Sequence, residues 1–161
     1  MRSLRRTACA LLACGLVGTS APAQTRAAFD KIVDFSVTLK TVSAAAAGEA
    51  VLPADRLLLL EGSISDIVVL DDRPERWKVR VELTAGEWIS IDEVHGYRCW
   101  VTFAGPGYAG IFPAEAPDEP SSDYLPLRSR VLVLARVLGP AVTPLGEKVM
   151  TVEGLAVRMS R

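Results

Sequence analysis

The sequence predicts an all-β domain, and three features point to it. Apolar and polar residues alternate in several runs, among them Val33-Asp34-Phe35-Ser36-Val37-Thr38-Leu39-Lys40 and Trp77-Lys78-Val79-Arg80-Val81-Glu82-Leu83. That is the period of a strand with one face buried. Clusters of Gly, Pro and Asp punctuate these runs at short intervals, as turns do between strands. No stretch beyond residue 23 carries a sustained helical period, so about seven short strands in a barrel or a sandwich are expected.

Taken in order, the chain opens with a basic Met1-Arg2-Ser3-Leu4-Arg5-Arg6, an apolar or small run from Thr7 to Val17, and Ala21-Pro22-Ala23. This layout reads as a cleavable export signal over residues 1–23, with the mature chain starting at Gln24. An exported, periplasmic protein is expected, with a lipid anchor at Cys14 as the alternative. Residues 24–55 hold the strand around Val33 to Leu39 and an alanine-rich linker or short helical turn from Ser43 to Gly48. Residues 56–161 form the main domain.

Within that domain, Arg56 to Leu70 reads as one long strand bent near Gly62, where a missing side chain lets a sheet curl. Asp71 to Glu75 is a turn, and Trp77 to Leu83 the next strand. A turn at Thr84-Ala85-Gly86 leads to a further short strand, Trp88 to Ile91. Tyr97 to Phe103 alternates again, with Cys99, Val101 and Phe103 on one face. Residues 104–126, with five prolines and Glu115, Asp118, Glu119 and Asp123, read as a long acidic surface loop. Arg130 to Leu138 is apolar enough for a central strand. Gly139-Pro140 turns the chain, and Lys148 to Met159 closes it.

Composition narrows the function classes. The full chain has formal net charge −1; without the three arginines of residues 1–23, 15 basic residues face 19 acids, for −4. A mildly acidic exported domain is a poor prior for nucleic acid, so none is expected as a partner. Beyond residue 23 only Cys99 remains, which excludes an internal disulfide and favours a buried thiol.

The order of these patterns resembles the small OB-fold domains of exported bacterial proteins and of the anticodon-binding-like group. The matching features are Glu61-Gly62-Ser63-Ile64, Arg98-Cys99-Trp100-Val101-Thr102-Phe103 and Val131 to Gly139. The resemblance implies a small, partly open barrel with an extra N-terminal strand. It departs from the family where a helix is usual between the third and fourth strands: Pro106, Pro113, Pro117, Pro120 and Pro126 leave room for a single turn there. An immunoglobulin-like sandwich is the alternative, although the Cys-Trp-Cys spacing of such domains is absent.

Catalytic chemistry has thin support. His95 is the sole histidine, and no nucleophile elbow accompanies it. Asp92, Glu93, His95 and Cys99 have metal-binding side chains but are too few in His and Cys for a usual structural zinc set. No cofactor and no metal are implied. Strand parity is more informative. If Val79, Val81 and Leu83 point inward, then Lys78, Arg80 and Glu82 point out, and Arg98, Trp100 and Thr102 do so on the other strand. Lys78, Arg80, Arg98 and Trp100 are therefore the candidate ligand or partner face, a basic patch with one exposed aromatic. The sequence reading is a non-enzymatic binding or assembly module of the bacterial envelope, its partner an envelope protein or a small anionic ligand. The alternatives are a structural subunit of an envelope complex and a small hydrolase using His95.

Overall fold

The computed structural model describes residues 29–119 and 121–160. The expected export signal, its cleavage site and Cys14 lie outside them. Five strands form the body: β2 (Leu57–Asp71), β3 (Lys78–Trp88), β4 (Val94–Ala104), β5 (Arg130–Val142) and β6 (Lys148–Met159). A two-residue strand, β1 (Val33–Asp34), and a helix, α1 (Leu39–Ala47), precede them. The strands run in the order β2-β3-β4-β6-β5, and β2 also pairs with β5. That last pairing closes the sheet on itself. A sandwich would leave two separate sheets, so the barrel expectation stands and the sandwich does not. β4 and β6 run parallel and every other barrel pairing is antiparallel. This is the OB barrel.

β2 serves two neighbours in turn. Leu58 to Ser63 pair with β5, and Ser63 to Asp71 pair with β3. The changeover needs the chain to curl at Gly62, as expected there. A Cβ on Gly62 would stand 2.7 Å from Leu39 Cδ1 and 3.0 Å from the Thr84 carbonyl oxygen, so the close approach admits no side chain. A bulge between Ile64 and Asp66 follows and adds twist. The inward residues of all five strands, including Leu58, Leu60, Val81, Leu83, Cys99, Val101, Phe103, Val131 and Val133, form one buried core.

Several expected elements take a different form. The alternating run from Val33 to Lys40 is not one strand. Asp34 accepts hydrogen bonds from the Ser36 amide at 2.9 Å and hydroxyl at 2.6 Å, and this local turn ends β1 after two residues. The expected linker at Ser43 to Gly48 belongs to α1. Thr38 caps the helix start through its side chain, and Gly48 at φ 87° closes its end. Leu39, Val42 and Ala46 bury the inner face of α1, which packs on all five barrel strands.

The expected turn at Thr84-Ala85-Gly86 does not exist. β3 runs unbroken to Trp88 and returns as β4 from Val94, with Trp88 opposite Val94. The separate strand at Trp88 to Ile91 is the tip of this hairpin, and His95 lies on β4, not in a turn. β5 likewise continues through Gly139-Pro140 to Val142. Beyond Ala135 β5 pairs only with β6, so the missing proline N–H falls where β2 no longer borders the strand.

The proline-rich segment is more than a surface loop. Phe112 and Leu125 are buried in the core. The Phe112 ring stacks on Phe103 with centroids 5.2 Å apart, and Tyr108 lies 4.9 Å away on the same ring. Burying one such phenylalanine stabilises the fold by about 1.5–3 kcal/mol. The segment completes the core where related barrels carry a helix, by side chains anchored through short turns.

Candidate ligand-binding face

The ladder between β3 and β4 sets the outer face. Arg80 pairs with Thr102, Glu82 with Trp100, and Thr84 with Arg98, while Val79, Val81 and Leu83 pair with Phe103, Val101 and Cys99 inside. The two strands are direct neighbours, so nothing lies between them to widen the patch. Cys99 is fully buried and unpaired. Burial pushes its thiol up to about 12, which keeps it protonated and inert.

At the centre of the face, the Arg80 guanidinium lies 4.2 Å from the Trp100 ring centroid. The indole N–H donates to Glu82 Oε2 at 3.1 Å, and the Ser65 hydroxyl, on the β2 bulge, donates to Glu82 Oε1 at 2.9 Å. Arg80 thus lies over the Trp100 ring, and Glu82 fixes its edge. Its ring is only partly buried. A cation over an indole face is worth about 0.5–1 kcal/mol where exposed.

The four expected face residues do share one side of the sheet, yet they do not cluster. Arg80 and Trp100 touch. Lys78 is exposed opposite Ala104, and Arg98 sits opposite Thr84. Six residues of β3 separate Lys78 from the level of Arg98, about 20 Å at the strand rise of 3.3 Å. Arg98 is also ion-paired to Glu147 in the β5–β6 turn. Beside Thr102, Glu153 of β6 pairs with Arg136 at 3.1 Å. The face is therefore a stripe with a cation at each end and an Arg–Trp–Glu centre, not a basic patch. Glu82, Ser65 and Glu147 are the residues the sequence reading left out. Parity had already placed Glu82 on this side; the bulge that brings Ser65 to it has no sequence signal.

Two other surface features lie apart from the stripe. A cleft of ≈ 720 Å³ opens beside α1, lined among others by Phe35, Lys40, Glu61, Glu87, Tyr97 and Arg130. In it Glu87 Oε2 accepts from Lys40 Nζ and from the Tyr97 hydroxyl, each at 2.7 Å. The Lys40 hydrogen bond, then that of Tyr97, holds the Glu87 carboxyl below its usual range. The hairpin tip leaves Trp88, Ile89, Ile91 and Val94 exposed. Asp92 and Glu93 belong to this tip while Cys99 is in the core, so these acids, His95 and Cys99 do not converge.

No family model matches the chain, and no curated protein does. Solved structures match at low identity. The N-terminal domain of PriB from Thermoanaerobacter tencongensis is 10% identical at a TM-score of 0.40, over 65% of this chain and 96% of that one. A small single-stranded DNA-binding protein from Mycoplasma pneumoniae is 9% identical at 0.42, over 65% and 93%. One from Streptomyces coelicolor is 15% identical at 0.39, over 65% and 93%. At these scores the likeness describes barrel architecture and says nothing of this chain's own ligand.

Three expectations are corrected here. The neighbours named are single-stranded DNA-binding proteins and PriB, not envelope components, and the envelope module, with its alternative as a structural subunit of an envelope complex, is set aside. The other alternative, a small hydrolase using His95, gains no support from the geometry, since the tip acids and Cys99 do not converge on His95. The exclusion of nucleic acid falls with the envelope module. It rested on the charge of −4 summed over all residues beyond residue 23 and on the expected export, whereas a strand meets one local face, and this one joins Arg80 to Trp100. The exported, periplasmic location, with its alternative of a lipid anchor at Cys14, is likewise given up. It rested on residues 1–23 alone, which lie outside the described residues.

Proposed function

We propose that this chain is a non-enzymatic binding module that holds a single strand of nucleic acid across the outer face of β3 and β4. The observation that carries the reading is the Arg80–Trp100 pair at the centre of that face. OB barrels take oligonucleotides on this pair of strands. An aromatic ring on such a face stacks any base, worth about 1–3 kcal/mol per base. In this reading Trp100 is the stacking platform, Arg80 its companion cation, and Lys78 and Arg98 meet phosphates at the two ends of the stripe. The resemblance to anticodon-binding-like OB domains belongs to the same reading, since an anticodon is a single-stranded loop. With few cations the affinity is modest and its salt dependence shallow, about 0.7 in log–log slope for each phosphate met.

Fluorescence anisotropy of a labelled strand of about ten nucleotides tests this. Wild-type protein binds the strand more tightly than the matching duplex. Trp100→Ala weakens binding about tenfold or more while the protein stays folded, in line with the loss of one stacked base. Absence of binding at low salt, or unchanged affinity in Trp100→Ala, contradicts the reading.

A further inference from the structure

We propose that Glu82 selects the base at the centre of the strand and favours guanine over thymine or uracil. This rests on the reading that the ligand is a single strand on the β3–β4 face.

The ground for it is the hydrogen bonding of one carboxylate. Glu82 stands between the cations of the stripe, directly across the ladder from Trp100. Each of its oxygens already accepts one bond, Oε1 from Ser65 and Oε2 from Trp100. A carboxylate has about four acceptor positions, so about one remains open on each oxygen. Two side-by-side acceptors, held by neighbours that fix the carboxylate plane, form a fork. A negative group here also turns phosphate away from the centre, which leaves the base edge, not the backbone, to meet it.

The four bases differ at that edge. Guanine presents two adjacent donors, N1–H and N2–H, and matches the fork. Cytosine and adenine each present one amino donor beside an acceptor nitrogen. Thymine and uracil present one N–H flanked by two carbonyl oxygens, which face the carboxylate unfavourably. A base stacked on the Trp100 ring brings its edge toward the residue that holds the indole N–H. Trp100 would thus supply area without preference and Glu82 the preference. A well-placed bidentate pair discriminates by about tenfold or more.

The test compares two labelled strands of about ten nucleotides, one of thymines only and one with two central thymines replaced by guanines, too few for strand self-association. Wild-type protein binds the guanine-bearing strand about tenfold more tightly. Glu82→Gln keeps the shape and can still accept from Trp100, but it offers a donor where guanine needs an acceptor. It brings the two strands to the same affinity. Equal binding of both strands by wild-type protein overturns the selection by Glu82 and leaves the strand reading intact. A guanine preference that survives in Glu82→Gln overturns it as well. Binding of neither strand overturns the strand reading and this proposal with it.

Discussion

Arg80 and Trp100 sit diagonally across the β3–β4 ladder, the guanidinium 4.2 Å from the ring centroid. The pair gives the centre of the outer face a flat apolar surface and keeps a positive charge over it. Arg80→Ala removes the charge and leaves the ring. The expected outcome is a stability loss of about 0.5–1 kcal/mol, with the salt dependence of strand binding left unchanged because Lys78 and Arg98 meet the phosphates. Denaturant titration and binding at several salt concentrations check the two. A slope shallower by about 0.7 would mean that Arg80 itself meets a phosphate.

Gly154 and Phe103 meet at closer quarters than any side chain would allow. A Cβ on Gly154 would fall inside the Phe103 ring, and that ring is held by Phe112 and Tyr108. Gly154→Ala therefore destabilises the protein by about 1–3 kcal/mol, the cost of overpacking a filled core. Thermal unfolding measures it. A variant as stable as wild type would show that the ring can move aside, and that the loop does not fix it.

The Cys99 thiol, fully buried and pushed up to about 12, reacts slowly with a thiol reagent in the native protein and quickly in denaturant. The thiolate is the reactive form, and both its scarcity and its burial protect it. Rapid native labelling would place Cys99 on the outer side and reverse the parity of β4.

Glu87 ties α1 to the barrel hairpin through Lys40 and Tyr97. Its folded-state pKa is depressed, first by the Lys40 hydrogen bond. The linked stability is present above the ordinary glutamate value of about 4.3 and is lost as pH falls through the lower folded value. Glu87→Gln removes this dependence, so the difference in melting temperature between wild type and variant shrinks as pH falls below about 4. A constant difference across that window would show that the contact does not persist in solution.

Much of the barrel was legible because strand parity depends only on local alternation. The runs around Val79, Cys99 and Val131 gave strands, inner faces and the burial of Cys99. The curl at Gly62 was legible because a glycine stood in an otherwise apolar strand. The Val33 to Lys40 run misled because Val37 and Leu39 point inward in either conformation, and the cap at Thr38 was hidden within the alternation. Thr84-Ala85-Gly86 looked like a turn because composition cannot show that β4 continues the ladder past Gly96. Phe112 and Leu125 were lost among prolines, since nothing local tells a core anchor from an exposed apolar residue. On the face itself, parity placed all four expected residues on one side. It could not give the spacing that separates Lys78 from Arg98, or the bulge that carries Ser65 to Glu82.

The three tryptophans report on three separate places: Trp77 is buried, Trp88 is exposed at the hairpin tip, and Trp100 lies on the β3–β4 face. The most direct measurement is the movement of their indole N–H resonances during titration with a short unlabelled single strand. The signal of Trp100, whose N–H is held by Glu82, shifts progressively with the backbone amides around it, and that of Trp77 stays in place. A titration that moves only the Trp88 signal, or none of the three, contradicts a strand bound on this face.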